Sequence, residues 1–178
     1  MIDFVALDED QNIPAIGKYG IVGIYEGVKK AAQFELFVEA DRAEERCAAV
    51  EESLAQFGLA FDKVSYGEAI PGSLGFGYYI AKDTATVARA MKLHEQMFED
   101  GESGMLAEIE RGRMFGYPET AIDFFANRKN DENPLGDNLK YHSYIHSPEH
   151  AEEEYMQYEY RLDAAFRKKC PHSAAELL

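Results

Sequence analysis

Hydrophobic and polar positions alternate most plainly over 33–39, where Phe34, Leu36 and Val38 face one way and Glu35, Phe37 and Glu39 the other. Period two predicts a strand, because successive side chains leave opposite faces of the pleat. From Asp41 the period changes. Ala43, Cys47, Val50, Leu54 and Phe57 recur at steps of four and three, with Glu44, Glu45, Glu51 and Glu52 on the other side. That is the core-facing stripe of an amphipathic helix, and its carboxylates form a solvated surface. Asp41 and Glu44 have capping-box spacing, and Gly58 suits the position just past the C-terminus.

Around this pair the pattern predicts three more strands and a second helix. Residues 19–25 are β-branched and aromatic with interspersed glycine and read as a strand, with 1–18 as a leading arm. Leu59 and Phe61 alternate within a candidate third strand over 59–66. A turn-rich stretch, 67–75, then leads to Phe76, Tyr78 and Ile80 in a fourth. Asp83 or Thr84 caps a helix with the stripe Val87, Met91, His94 and Phe98, ending at Gly101.

The order ββαββα predicts an α+β fold. Short connections favour a four-stranded antiparallel sheet of ferredoxin-like proportions with both helices on one face. Residues 1–101 form this sheet unit, and 102–178 form a helical half packed on it as one compact body. Met105, Leu106 and Ile109 give the first helical face of that half. The polar residues 128–140 form a surface loop. Ser147, Pro148 and Glu149 then open a last helix reaching Lys169, with Ala151, Tyr155, Tyr158, Leu162, Ala165 and Phe166 as its stripe.

The sharpest punctuation lies at Arg113-Met114-Phe115-Gly116-Tyr117-Pro118-Glu119. Gly116 can take the positive φ that closes one helix, and Pro118 has the fixed φ that opens the next. Tyr117, preceding a proline, is pushed out of the α region, so the two helices cannot fuse. This block, followed by Phe124 and Phe125, resembles an uncharacterised prokaryotic family, largely archaeal, that carries Gly-Tyr-Pro-Glu-Cys-Cys ahead of an aromatic-rich helix. Thr120 and Ala121 stand here where that family has its cysteines. The resemblance implies no known activity, and any thiol chemistry of the family is absent at these two positions.

Composition narrows the functional classes. Hydrophobic residues make up 46 %, which is ordinary for a globular protein, but the net charge is −15. Phosphate backbones are bound mainly by Lys and Arg, so so acidic a chain argues against nucleic acid. Cys47 and Cys170 are too few for a disulfide framework. Cys47 falls on an apolar stripe, whereas Cys170, next to Pro171, is a candidate exposed thiol. No apolar run approaches a membrane span, and residues 1–4 lack the charged and apolar regions of a signal peptide. A cytoplasmic location is the default expectation.

Two groups of residues carry candidate chemistry. His142, His146 and His150 stand four apart and can contribute to a zinc site with Glu149, although Pro148 interrupts any continuous helix and the spacing matches no zinc signature. A solvated polar loop is the simpler account of them. Arg113, Tyr117 and Glu119 form the other group. Arg111 or Arg113 can clamp an anionic ligand at the corner, or simply pair with Glu119. His94 lies on an apolar stripe and reads as a hydrogen-bonded core histidine. Tyr160 falls off its stripe and suits a groove or a dimer surface. The glycine-rich 72–77 precedes a strand, so it is no phosphate loop, and no nucleophile elbow is present.

The first expectation is therefore a non-catalytic binding or protein-interaction domain, with a second copy or another protein as its partner. The alternative is a small-molecule or metal-dependent enzyme. Its site would join Arg113, Tyr117 and Glu119 to the 142–150 loop.

Overall fold

A computed structural model of the chain describes residues 2–127, 147 and 149–177. Its elements run α1 (Phe4–Glu9), α2 (Ala15–Tyr25), β1 (Ala31–Glu39), a 3-10 turn (Ala40–Arg42), α3 (Ala43–Gln56), β2 (Ala60–Ile70), β3 (Ser73–Ala81) and α4 (Thr84–Gln96). Helices follow: α5 (Glu102–Met114), α6 (Glu119–Asn127), α7 (Ala151–Gln157), α8 (Glu159–Lys169) and α9 (Pro171–Leu177).

The sheet corrects the sequence-based expectation. It has three antiparallel strands in the order β1-β3-β2, not four. The missing strand, 19–25, is the end of helix α2, and the expected arm before it holds α1 and the start of α2. A short apolar run with β-branched residues cannot by itself distinguish a buried strand from a buried helix. What decides is the glycine spacing. Gly17, Gly20 and Gly23 stand three apart and share one helical face. A Cβ on Gly17 would stand 3.1 Å from the Phe34 ring, and one on Gly20 only 2.8 Å from the Ala32 methyl. The glycines let the helix backbone lie directly on β1, and every residue from 17 to 24 is buried.

Helices cover both faces of the sheet, another departure from expectation. Alternation along β1 sends Ala32, Phe34, Leu36 and Val38 into one core with Tyr78 and Ile80 of β3. There they meet Ile21 and Ile24 of α2, Val50 and Leu54 of α3, and Leu162 and Phe166 of α8. The Phe34 and Tyr78 rings stack across the β1–β3 pair at 5.2 Å. On the opposite face, Ala31, Tyr79 and Ala81 meet Val87, Ala90 and Leu93 of α4 and Ala107 and Met114 of α5. A central strand buried on both sides reads as a continuous apolar run, which is what Tyr78-Tyr79-Ile80-Ala81 is.

Smaller expectations also change. The turn-rich stretch 67–75 is the β2–β3 hairpin, closed by Pro71 and Gly72, whose φ of 82° suits the second central position of a type II turn. Asp41 caps nothing, because the 3-10 turn precedes α3 and the residue at the N-cap is Arg42. Asp83 does cap α4, accepting from the Thr86 amide at 2.8 Å. The buried stripe of α4 is Val87, Ala90 and Leu93, and Phe98, beyond the helix end, is exposed. The last expected helix is broken at Tyr158 into α7 and α8. Ser147 still turns the chain into α7, its Oγ accepting from the His150 amide at 3.1 Å; Pro148 lies outside the described residues.

Cys170, expected to be exposed, is fully buried, and burial pushes its thiol up to about 11. Near it, Asp8 of α1 ties the first helix to the last. Its carboxylate accepts from the Ser173 and His172 amides at 2.8 and 2.9 Å. Lys18 of α2, also buried, donates to the Asp8 carbonyl at 2.8 Å and to Ser173 Oγ at 3.0 Å. Burial alone would raise the Asp8 carboxyl, but the hydrogen bonds from Ser173 and His172, with the His172 charge, outweigh it and hold the group below its ordinary value. No helix among the described residues is long and apolar enough to cross a membrane.

Candidate functional site

The helix corner forms as its residues dictate. Gly116 has φ 80°, the Tyr117 amide donates to Gly112 O at 3.0 Å, and the Gly116 amide donates to Arg113 O at 3.2 Å. This pair of bonds is a Schellman closure of α5. The glycine is required twice over, because a Cβ there would overlap the Val28 carbonyl oxygen at 2.0 Å.

The corner separates the residues expected to converge on it. Arg113 and Glu119 pair with each other through three N–H···O contacts of 2.9–3.0 Å, on the exposed side. Tyr117 turns inward instead, its ring edge-on to Phe115 and Tyr158 at centroid distances of 6.0 and 5.8 Å. Arg111 goes with it. Two residues along a helix differ by roughly 200° in direction, so Arg111 and Arg113 must serve opposite sides of α5.

Tyr117, Phe115 and Arg111 line a cleft of about 410 Å³ with Ile16, Tyr19 and Gly20 of α2, Lys29 of the α2–β1 turn, and Gln33, Phe34 and Glu35 of β1. It wraps one edge of β1. Among the described residues that strand pairs on one side only, with β3, so its other edge is left to the cleft.

Lys29 is built into place. Its amide, like that of Val28, donates to Gly23 O at 3.0 Å. Its stem lies in the notch left by Gly23, where a Cβ would stand 2.9 Å from Lys29 Cδ. The ammonium faces the Tyr158 and Tyr19 rings at 5.4 and 5.9 Å. Burial lowers its pKa to about 8, partly offset by the Glu159 carboxylate of α8. The Tyr19 hydroxyl donates to Asp163 Oδ1 at 3.0 Å, which fixes that wall.

Arg111 is held by neutral partners. Its Nη1 donates to Gln33 Oε1 at 3.4 Å, and its guanidinium lies over the Phe115 ring at 5.5 Å. Gln33 in turn donates to the Tyr66 hydroxyl at 3.2 Å. Deeper on the same face, the Tyr79 hydroxyl is hydrogen-bonded to His94 Nδ1 at 2.7 Å, so His94 is hydrogen-bonded as expected, but it is half-buried beside the α4 stripe and not a core residue. Burial and then the Arg111 charge lower the His94 pKa. Among the described residues neither Lys29 nor Arg111 forms an ion pair with a carboxylate.

The proposed histidine cluster is not brought together within the described residues. His142 and His146 lie outside them. His150 is half-exposed, 3.8 Å from Glu153 of its own helix, and lines a separate cleft with Thr120, Asp123, Phe124, Ser147 and Glu149. Among the described residues no group of three His, Cys, Asp or Glu side chains is placed to hold a metal.

Sequence reasoning missed Lys29, Gln33 and Glu35. Glu35 and Gln33 look like solvent-facing positions of an alternating strand, and nothing local marks Lys29 among neighbouring lysines. The usable signal was the three-residue glycine spacing, which identifies a helix face that admits another chain segment. No family model matches the chain, and no curated protein or solved structure is found similar to it.

Proposed function

We propose that the protein is a binding domain for a small organic anion, a carboxylate with an apolar or aromatic body, taken into the cleft between α2, β1 and α5. One observation carries this reading. Lys29 and Arg111, two cations of a chain with net charge −15, line the same aromatic-walled cleft without ion-pairing to a carboxylate among the described residues. An acidic protein has abundant carboxylates with which to neutralise surface cations, as Arg113 and Glu119 do. Cations whose direct contacts are neutral or aromatic, with Glu159 acting on Lys29 only through space, retain their capacity for an incoming anion, and a guanidinium suits a carboxylate in two-point contact. The volume lies within the range of small-ligand sites. Glu35 on the rim disfavours a polyanion and favours a ligand with one acidic end.

The test is an NMR titration with benzoate and phenylacetate against benzamide as neutral control. Saturable shifts at Gly20, Gln33 and Arg111 with the acids alone, weakened about tenfold or more in Arg111→Met, are the expected result. Equal response to benzamide, or shifts confined to other surfaces, would overturn the reading.

A further inference from the structure

We propose that the Lys29 amine condenses with a carbonyl group of the bound ligand, which makes the ligand class an oxo carboxylic acid. This rests on the anion-binding reading of the same cleft. Three features of the site support the step.

The first is placement. A lysine stem is ordinarily free to sweep the surface, but this one is laid in the Gly23 notch and its end is held against two ring faces beside the cleft. Its amine therefore stays at one point of the wall. The second is the lack of a direct ion pair among the described residues. Lys63 and Lys169 each pair with a carboxylate, Glu51 and Glu26, which favours the protonated form; the Lys29 ammonium is in contact with two rings and feels the Glu159 carboxylate only through space. The third is availability of the neutral amine. A pKa of about 8 leaves roughly a tenth of the lysine deprotonated at pH 7, on the order of a few hundred times more than an ordinary lysine.

The charged and titratable groups facing Lys29 are Tyr19 of α2, Glu35 of β1, Arg111 of α5, and Tyr158 and Glu159 at the start of α8. Of these, the Glu159 carboxylate raises its pKa, against the larger effect of burial. The chemistry balances without a co-reactant. The ammonium first gives a proton to solvent. Nζ then attacks the carbonyl carbon, the N–C bond forms, and the carbonyl oxygen is protonated to a hydroxyl. Loss of that hydroxyl as water, with a second proton taken from the nitrogen, leaves the imine on Nζ. Arg111, in the same cleft, holds the ligand's carboxylate, and solvent supplies the proton to the departing oxygen.

Two probes, pyruvate and 4-oxopentanoate, place the carbonyl at different distances from the carboxylate. Each is incubated with the full chain at pH 7.5, reduced with borohydride, and followed by intact mass and peptide mapping. The expected result is one reduced adduct on Lys29 with at least one probe, at least tenfold over any of Lys82, Lys92 and Lys168. It should disappear in Lys29→Arg, which keeps the charge and the ring contacts, with thermal melts confirming the fold. Benzoate should compete with labelling, and Arg111→Met should lose the preference for the oxo acids over neutral propanal. Adducts spread evenly over the lysines, or none on Lys29 with either probe, would overturn the imine. If benzoate still shifts the cleft resonances in that case, anion binding stands alone; if it does not, both readings fall.

Discussion

Gly20 of α2 and Ala32 of β1 approach so closely that a Cβ on residue 20 would stand 2.8 Å from the Ala32 methyl. In a helix interior alanine is favoured over glycine by about 1 kcal/mol, so propensity alone predicts that Gly20→Ala stabilises. Here the contact forces α2 away from the sheet, at an overpacking cost of about 1–3 kcal/mol. The expected net result is a loss of about 1 kcal/mol, larger for Gly20→Val, read from urea midpoints. A midpoint that rises in Gly20→Ala would show that α2 has slack against β1.

Gly116→Ala should be far more damaging. The residue would take a left-handed conformation, costing about 1–2 kcal/mol, and its methyl would collide with the Val28 carbonyl. A total loss of about 3 kcal/mol or more is expected. Since Val28 adjoins Lys29, anion binding should weaken even where the variant is folded, which calorimetry can check.

Arg113→Ala and Glu119→Ala should each leave stability within about 1 kcal/mol of the parent, as exposed ion pairs generally do. Neither should alter anion affinity, because the pair faces away from the cleft. Arg111→Met provides the contrast. Comparable loss of affinity in Arg113→Ala would place the binding site on the outer face of the corner.

The pH dependence has a definite sign at His94. Its pKa is lowered in the folded chain from an ordinary value of 6.5, so the unfolded chain binds the proton more readily. The stabilisation is fully present above about pH 6.5 and is lost as pH falls toward the folded pKa. His94→Gln should therefore flatten the stability profile between pH 7 and 5. An unchanged slope in that window would mean that other groups govern it.

The parts of the fold that were legible in the sequence are those written in local code. The 33–39 alternation, the 43–56 stripe, the Asp83 cap and the Gly-Tyr-Pro corner all stand in the structure because period, cap and turn depend on near neighbours. Helix α2 failed for the opposite reason. Its β-branched residues carry strand propensity, and only packing on β1 overrides it. The two-sided sheet was hidden because α4 and α5 cover the second face of β1 only at its start, at Ala31, while Glu35, Phe37 and Glu39 stay exposed as their alternation suggests. The site was half legible. Tyr117 was singled out and does line the cleft, but helix phase sends Arg113 outward and Arg111 inward, a distinction the corner motif does not contain. Lys29 acquires its character from Gly23, Tyr19 and Tyr158, the last of them 129 positions away along the chain.

The clasp at Asp8 has a consequence for how the molecule is made. Its partners are the amides of residues 172 and 173, so the bond closes a loop of more than 160 positions. Lys18, buried under that clasp, finds one acceptor in the Asp8 carbonyl but gains the other, Ser173 Oγ, only when the same late segment is present. Before α9 docks, the strands and helices packed on them can already pair, but the Lys18 charge then lacks its Ser173 acceptor. Long-range closure of this kind is slow relative to local pairing, so docking of α9 is the step that satisfies the Lys18 side chain.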